Sequence, residues 1–112
     1  MQLIENEISK QELINLSGNH FEDFVKAVID IENEVIVIDA DLHSDEEAYL
    51  LDMGSKQNSL WGLNLYPNKP QENFIEFDSM INLRPRDENR SRGVDNPEIR
   101  GIIIRIVGKL IK

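Results

Sequence analysis

Arginine is concentrated in one short segment of this chain. Four of the six arginines lie within nine positions, accompanied by asparagine and serine. We call residues 84–93 the arginine loop, and its candidate anion-binding residues are Arg84, Asn89, Arg90, Ser91 and Arg92. A planar guanidinium presents paired N–H donors that match the oxygens of a carboxylate or phosphate. The loop therefore predicts a site for a small anion, while internal ion pairs with neighbouring acids are a second interpretation that stays open.

A second polar group lies in the segment FIEFDSMINLR, residues 74–84. Apolar and polar residues alternate there, which predicts a strand with one buried face and one polar face. The polar face carries Glu76, Asp78, Asn82 and Arg84, and Asn64 joins it if the strand predicted at 60–66 pairs alongside. Glu76 and Asp78 are about 6.5–7 Å apart, so they could act as acid and base or share Mg²⁺. A solvated sheet face shows the same pattern, so this alternative also stays open.

A histidine, His43, stands before the acidic run SDEE. Its imidazole titrates near neutrality, which suits a general acid or base, and we predict His43 or Glu76 as the proton-transfer group. The acids after it are also favoured in the first turn of a helix without any chemistry. The spacing matches no specific metal motif, and no glycine pattern for nucleotides is present, so we predict neither a metal nor a cofactor.

An α+β domain is predicted to position these residues. Capping boxes begin at Ser9 and Ser44, Gly18 fits a helix C-cap, and Asn96 with Pro97 marks a further helix start. The predicted strands are 1–8, 23–31, 35–42, 60–66 and 74–84, and the predicted helices are 10–17, 45–53 and one from Pro97 onward. The order β-α-β-β-α-β-β-α contains hairpins rather than parallel crossovers. It predicts a two-layer domain with a mainly antiparallel sheet of about five strands and three helices covering one face.

The last predicted helix carries two apolar lines. The main stripe, which should face the core, is Ile99, Ile102, Ile103, Ile106, Val107 and Leu110. The second, narrower line is Gly101, Ile104, Gly108 and Ile111. Its small residues permit close approach of another element, which predicts either a weak homodimer through the C-terminal helix or packing inside an enlarged core.

Composition restricts the class of protein. The chain has 112 residues, 40% hydrophobic and 29% charged, which fits one globular domain spanning residues 1–112. Its net charge of −9 makes this an acidic protein that should repel duplex nucleic acid and anionic lipid. No membrane-spanning run or signal peptide is evident, and cysteine is absent, so we expect a cytoplasmic location.

Four motifs in order carry a resemblance over most of the chain. They are DLHSDEEAYLLDMGS, LWGLNLYP, FIEFDSMINLRP and NRSRG. Together they resemble a family of small bacterial and archaeal proteins catalogued as a domain of unknown function. The resemblance implies a single-domain cytoplasmic protein and supplies no activity or catalytic residue.

These observations lead to one main hypothesis and one alternative. We expect a module that binds a small phosphate- or carboxylate-bearing ligand where the 74–84 strand, the arginine loop and His43 meet. Hydrolase or transferase chemistry is one version of it, and the sequence leaves open whether the protein is an enzyme. The alternative is a protein-interaction module in which internal salt bridges hold the arginine loop.

Overall fold

The computed structural model describes residues 1–17 and 23–112. Within these residues the strands are β1 (Gln2–Ile4), β2 (Val25–Asp30), β3 (Val35–Ile38), β4 (Leu60–Leu65) and β5 (Ile75–Glu76). The helices are α1 (Lys10–Ser17), α2 (His43–Asp52) and α3 (Pro97–Leu110). The α+β class and the predicted element order are confirmed. The predicted cap at Gly18 lies outside the described residues.

The five strands form one antiparallel sheet in the order β1-β3-β2-β4-β5. The alternation of side chains along β2 and β4 separates two apolar clusters on opposite sheet faces. On one face, Ala27 and Leu63 pack with residues of α1 and α3, including Leu13 and Ile106. On the other face, Val28 packs with Leu50 of α2. Helices therefore cover both faces, and the expectation of one covered face holds for α1 and α3 only.

The segment predicted as a long strand at 74–84 is a strand only at Ile75–Glu76. A 3-10 helix at Met80–Asn82 follows, and the Ser79 hydroxyl accepts a hydrogen bond from the Ile81 N–H at its start. The Asn82 side chain then makes the hydrogen bonds with β4 that a paired strand backbone would make. Its Oδ1 accepts the Gly62 N–H at 2.8 Å, and its Nδ2 donates to the Gly62 carbonyl at 3.0 Å. The alternating pattern was correct for β5 and wrong beyond it. There, asparagine side chains make the hydrogen bonds to and from β4, and the backbone of residues 79–84 pairs locally and with the arginine loop.

Two of the three helices begin where their predicted capping residues place them, and one does not. The Ser9 hydroxyl accepts the Glu12 N–H at 3.1 Å, and Asn96 Oδ1 accepts the Glu98 N–H at 2.8 Å, as the capping patterns predict. The capping box predicted at Ser44 is wrong. Helix α2 begins at His43, and its N-cap residue Leu42 makes no side-chain capping hydrogen bond.

The chain ends close to where it starts. Ile111, after α3, forms a parallel bridge with Ile8, and both side chains are buried. The predicted first strand at 1–8 is therefore divided into β1 and this bridge. Among the described residues, no helix combines the length and apolar character needed to cross a membrane.

Candidate ligand-binding site

Three polar residues lie in register across three neighbouring strands. Lys26 of β2 pairs with Asn64 of β4, and Asn64 pairs with Glu76 of β5. Because paired residues point to the same sheet face, the three side chains form what we call the polar row. The row lies on the face that carries α2, where Val28 contacts Leu50 further along the sheet.

A cavity of about 450 Å³ opens over the polar row, next to the N-terminus of α2. Its size lies within the range of small-molecule pockets. Its polar and charged lining residues are Lys26, His43, Ser44, Asn64, Glu76, Asp78, Ser79 and Arg92. Its apolar lining residues are Phe24, Leu42, Met80 and Ile81. The cavity thus combines a charged floor with an apolar margin.

His43 is the first residue of α2 and is held over β4. Its Nε2 is 2.8 Å from the Leu63 carbonyl oxygen, which can only accept, so Nε2 carries the proton of the neutral ring. Nδ1 then carries the lone pair. Burial lowers the pKa of His43 below its ordinary 6.5, and the contact with Leu63 opposes this. His43 is therefore neutral at pH 7, the state required of a general base.

The Asn64 carboxamide connects the centre of the polar row to its acidic end. Its Nδ2 donates to Glu76 Oε1 at 2.8 Å and to the Asp78 carbonyl at 3.3 Å. The Tyr66 hydroxyl also donates to Glu76 Oε1, at 3.2 Å. Asn64 is only 5% exposed, and its Oδ1 makes no hydrogen bond of ordinary geometry within the described part of the chain. The side chain lies close enough to His43 to raise the pKa of that ring by hydrogen bonding, so the protonated imidazole is a donor available to this oxygen.

The basic end of the row lies near the first turn of α2. The Lys26 ammonium donates to the Asp41 carbonyl at 2.7 Å. The first N–H groups of a helix have no partner inside the helix, and Leu42 supplies no side-chain cap here. Amides of His43 and Ser44 therefore add donors to the positive end of the helix dipole at the cavity wall.

The arginine loop divides between the cavity and the protein interior. Arg92 reaches the cavity, where its Nε is 2.7 Å from Asp78 Oδ1. Arg84 lies elsewhere: its guanidinium stacks 4.2 Å from the centre of the Trp61 ring, and Nη1 donates to the Gln57 carbonyl. The Arg84 side chain is only 10% exposed. The two arginines are close in sequence, but Arg92 lines the cavity and Arg84 packs against Trp61 outside it.

The remaining candidate residues of the loop organise its own backbone. Buried Asn89 donates to the Asn82 and Gly93 carbonyls at 2.7 and 2.8 Å, and its Oδ1 accepts the Asp95 N–H. Asp95 in turn accepts from the Arg90 N–H and the Ser91 hydroxyl. These hydrogen bonds lower the pKa of Asp95, that from Ser91 most strongly.

Five of the ten candidate residues therefore line one cavity, and five do not. Those at the cavity are His43, Asn64, Glu76, Asp78 and Arg92. Those outside its lining are Asn82, Arg84, Asn89, Arg90 and Ser91. Lys26, which the sequence analysis did not select, faces the cavity because β2 pairs with β4. The sequence signal that could have identified it is a lysine between the apolar residues Val25 and Ala27 of β2.

Glu46 is a second residue whose environment the sequence did not indicate. It follows His43 in α2 and is fully buried, with Oε2 accepting the Ala40 N–H at 3.2 Å. Burial raises the pKa of Glu46 to about 9, although the Ala40 N–H and the charge of Lys26 favour the ionised form. Glu46 is therefore a protonated acid at neutral pH. Within the described residues, no cluster of three or more His, Asp or Glu side chains has an arrangement suited to a metal ion.

Fold and site together define a small α+β domain with a polar cavity at the start of one helix. A family model described as "Protein of unknown function (DUF5674)" matches residues 2–110, so the chain belongs to this family. The resemblance to a family of unknown function is thereby confirmed. No match was found among curated proteins or among solved structures.

Proposed function

We propose that this protein binds a small molecule bearing a carboxylate or phosphate group in the cavity over the polar row. The observation that carries the proposal is convergence: four separate segments contribute His43, Asn64, Glu76 with Asp78, and Arg92 to one cavity lining. A well-formed cavity with a few convergent polar groups is the usual form of a small-molecule site.

Lys26 and the N-terminus of α2 would hold the anionic group. The Lys26 ammonium is bonded to a neutral carbonyl, so its charge remains available to an oxyanion. Ser44 adds a hydroxyl next to the first amides of the helix. Arg92 is already engaged by Asp78 through Nε, which leaves its Nη groups as further donors.

His43 would transfer a proton if the bound molecule reacts. Its neutral ring has a lone pair on Nδ1, which could accept a proton from a hydroxyl or a water molecule. The Asn64 side chain favours the protonated ring, so it would stabilise the imidazolium that forms. Glu76 is the second proton-transfer candidate. This is the hydrolase or transferase version of the proposal.

An amide-resolved NMR titration tests the proposal. Inorganic phosphate, a nucleotide panel and Mg²⁺ would be added separately, and we expect the anions to shift residues 43–47, 64, 76–78 and 92 with saturation. Lys26→Met should weaken such binding about fivefold to tenfold, as expected for loss of one charge-assisted hydrogen bond. Lys56→Met is the control, because Lys56 pairs with Glu32 rather than lining the cavity. No saturable shift from any anion at millimolar concentration would contradict the proposal.

The interaction-module alternative also has structural support. Arg84 and Arg92 both have internal partners, as that alternative requires. On α3, Ile104 is 52% exposed, and Gly101 and Gly108 border open space. We therefore keep self-association through α3 as the second candidate function.

A further inference from the structure

The charges at the two ends of the polar row are not neutralised by each other. Lys26 donates to a backbone carbonyl, and Glu76 accepts from an amide and a phenol. Neither makes an ion pair within residues 1–17 and 23–112, whereas Arg92 and Asp78 pair with each other at 2.7 Å. The cavity therefore has one available positive charge on β2 and one available negative charge on β5.

The two charged ends are well separated. Asn64 lies between Lys26 and Glu76 in the cross-strand register, so their Cα atoms are about 10 Å apart, two interstrand spacings. The Lys26 side chain extends toward Asp41 at the end of the row remote from Glu76. A ligand that uses both charges must therefore be extended rather than compact.

The two ends of the polar row also differ in hydrogen bonding: the negative end presents acceptors and the positive end presents donors. The Glu76 end offers a carboxylate that accepts from an amide and a phenol, while the Arg92 cation of the same cavity lining is paired with Asp78. The Lys26 end has the donors, namely the ammonium, the Ser44 hydroxyl and the first amides of α2. A complementary ligand would bring donors to the first end and acceptors to the second.

Apolar side chains border the space between these ends. Leu42 and Met80 line the cavity while remaining 53% and 62% exposed. Exposed apolar side chains at the margin of a polar cavity gain burial if a ligand supplies hydrocarbon to cover them.

We infer that the ligand is an extended zwitterion, with an ammonium group at Glu76, a carboxylate or phosphate at Lys26 and the start of α2, and an apolar linker against Leu42 and Met80. This inference rests on the proposed function, because it adds a cationic group and a linker to the anionic group already assigned. It names a substrate class that the arginines alone do not indicate.

Three probes that differ by one charged group test the inference. They are 6-aminohexanoate, hexanoate and hexylamine, each titrated into ¹⁵N-labelled protein at pH 7. We expect 6-aminohexanoate to bind about tenfold more tightly than either of the others, since each lacks one charge-assisted interaction. The shifts should include Asn64 and Glu76 with the zwitterion, and His43 and Ser44 with both carboxylates.

Glu76→Gln is the matched variant, because it removes the charge and keeps the shape. The variant should bind 6-aminohexanoate and hexanoate equally, whereas Glu72→Gln, at an exposed position outside the cavity lining, should keep the wild-type difference. An unchanged amide spectrum away from residue 76 would establish that the variant is folded. Retention of the full tenfold difference in Glu76→Gln would overturn the inference.

The outcomes separate the inference from the proposed function. If hexanoate binds the wild-type protein as tightly as 6-aminohexanoate, the zwitterion is wrong and the anion site stands. If hexylamine binds more tightly than both carboxylates, the anionic assignment is wrong as well. If no probe gives saturable shifts at tens of millimolar, while phosphate or a nucleotide does, the inference alone fails.

Discussion

Gly62 shows how strongly a single position in β4 is constrained by its neighbours. A Cβ added there would lie 2.5 Å from Ser79 Cβ and 2.6 Å from its Oγ, which is closer than packed atoms tolerate. The same glycine donates to and accepts from the Asn82 side chain. Its lack of a side chain is what allows the 79–82 segment to approach the sheet next to the cavity.

Gly62→Ala is therefore expected to destabilise the protein by about 1–3 kcal/mol, the usual cost of overpacking a well-packed interior. Gly108→Ala is the matched control, because nothing lies within 4 Å of the added Cβ and the site is an exposed helix interior. That change should stabilise α3 by about 0.5–1 kcal/mol. Urea unfolding measures both, and equal effects of the two substitutions would refute the close-approach argument.

Glu46 makes the stability of this protein depend on pH. Its pKa is raised to about 9 in the folded state from an ordinary 4.5. The folded protein thus retains a proton that the unfolded chain releases above pH 4.5, so this group lowers stability as pH rises toward 9.

Glu46→Gln removes that dependence, because glutamine is neutral in both states. Between pH 5 and pH 8 the free energy of unfolding should shift in favour of the variant by on the order of 1–3 kcal/mol. Urea titrations at several pH values measure this shift, with Glu5→Gln at an exposed position as the control. Parallel pH profiles for wild type and Glu46→Gln would show that Glu46 ionises normally.

Secondary-structure elements differ in how far local sequence determined them. Asn96 and Pro97 start α3 through contacts within a few residues, so the pattern was sufficient. Helix α2 starts at His43 instead, and the imidazole contact with Leu63, twenty residues away, is part of that arrangement. Local capping preferences cannot anticipate a start that is coupled to tertiary contacts.

A pair of alanine substitutions tests this difference between the two helices. Asn96→Ala should cost about 1 kcal/mol, because the Glu98 N–H loses its acceptor. Ser44→Ala should change stability by less than about 0.5 kcal/mol, since α2 has no side-chain cap to lose. Thermal unfolding of both variants provides the comparison. If Ser44→Ala lowers stability as much as Asn96→Ala does, then Ser44 caps α2 after all.

At the scale of the whole molecule, α3 leaves one narrow line uncovered. Gly101, Ile104 and Gly108 are exposed, while Ile111 is buried against the start of the chain. The predicted second line thus divides between surface and core. Three exposed residues on one helix face form a small contact, and small interfaces associate weakly.

We predict weak, concentration-dependent self-association that Ile104→Glu abolishes, because a charge would be buried at the centre of the contact. Met53→Glu is the control, since Met53 is similarly exposed, at 55%, but belongs to the end of α2. Sedimentation velocity over a wide concentration range gives the result. A monomer mass at every concentration of wild type excludes the dimer.

The sequence by itself determined the α+β class, the element order and the residue types available for chemistry. Periodicity is a local property, so α1, α3 and the hairpin of β2 and β3 followed from it. Asn64 and Glu76 were also placed on one face correctly, and Asp78, which lies beyond β5, lines the same cavity.

Only the tertiary structure decided which of those residues meet. Strand order brought Lys26 into the polar row, and close packing at Gly62 placed residues 79–82 against β4 without strand pairing. Arg84 stacks on Trp61 and therefore does not line the cavity. Burial keeps Glu46 protonated at neutral pH. These outcomes depend on residues distant in sequence, whose contacts and desolvation no local pattern contains.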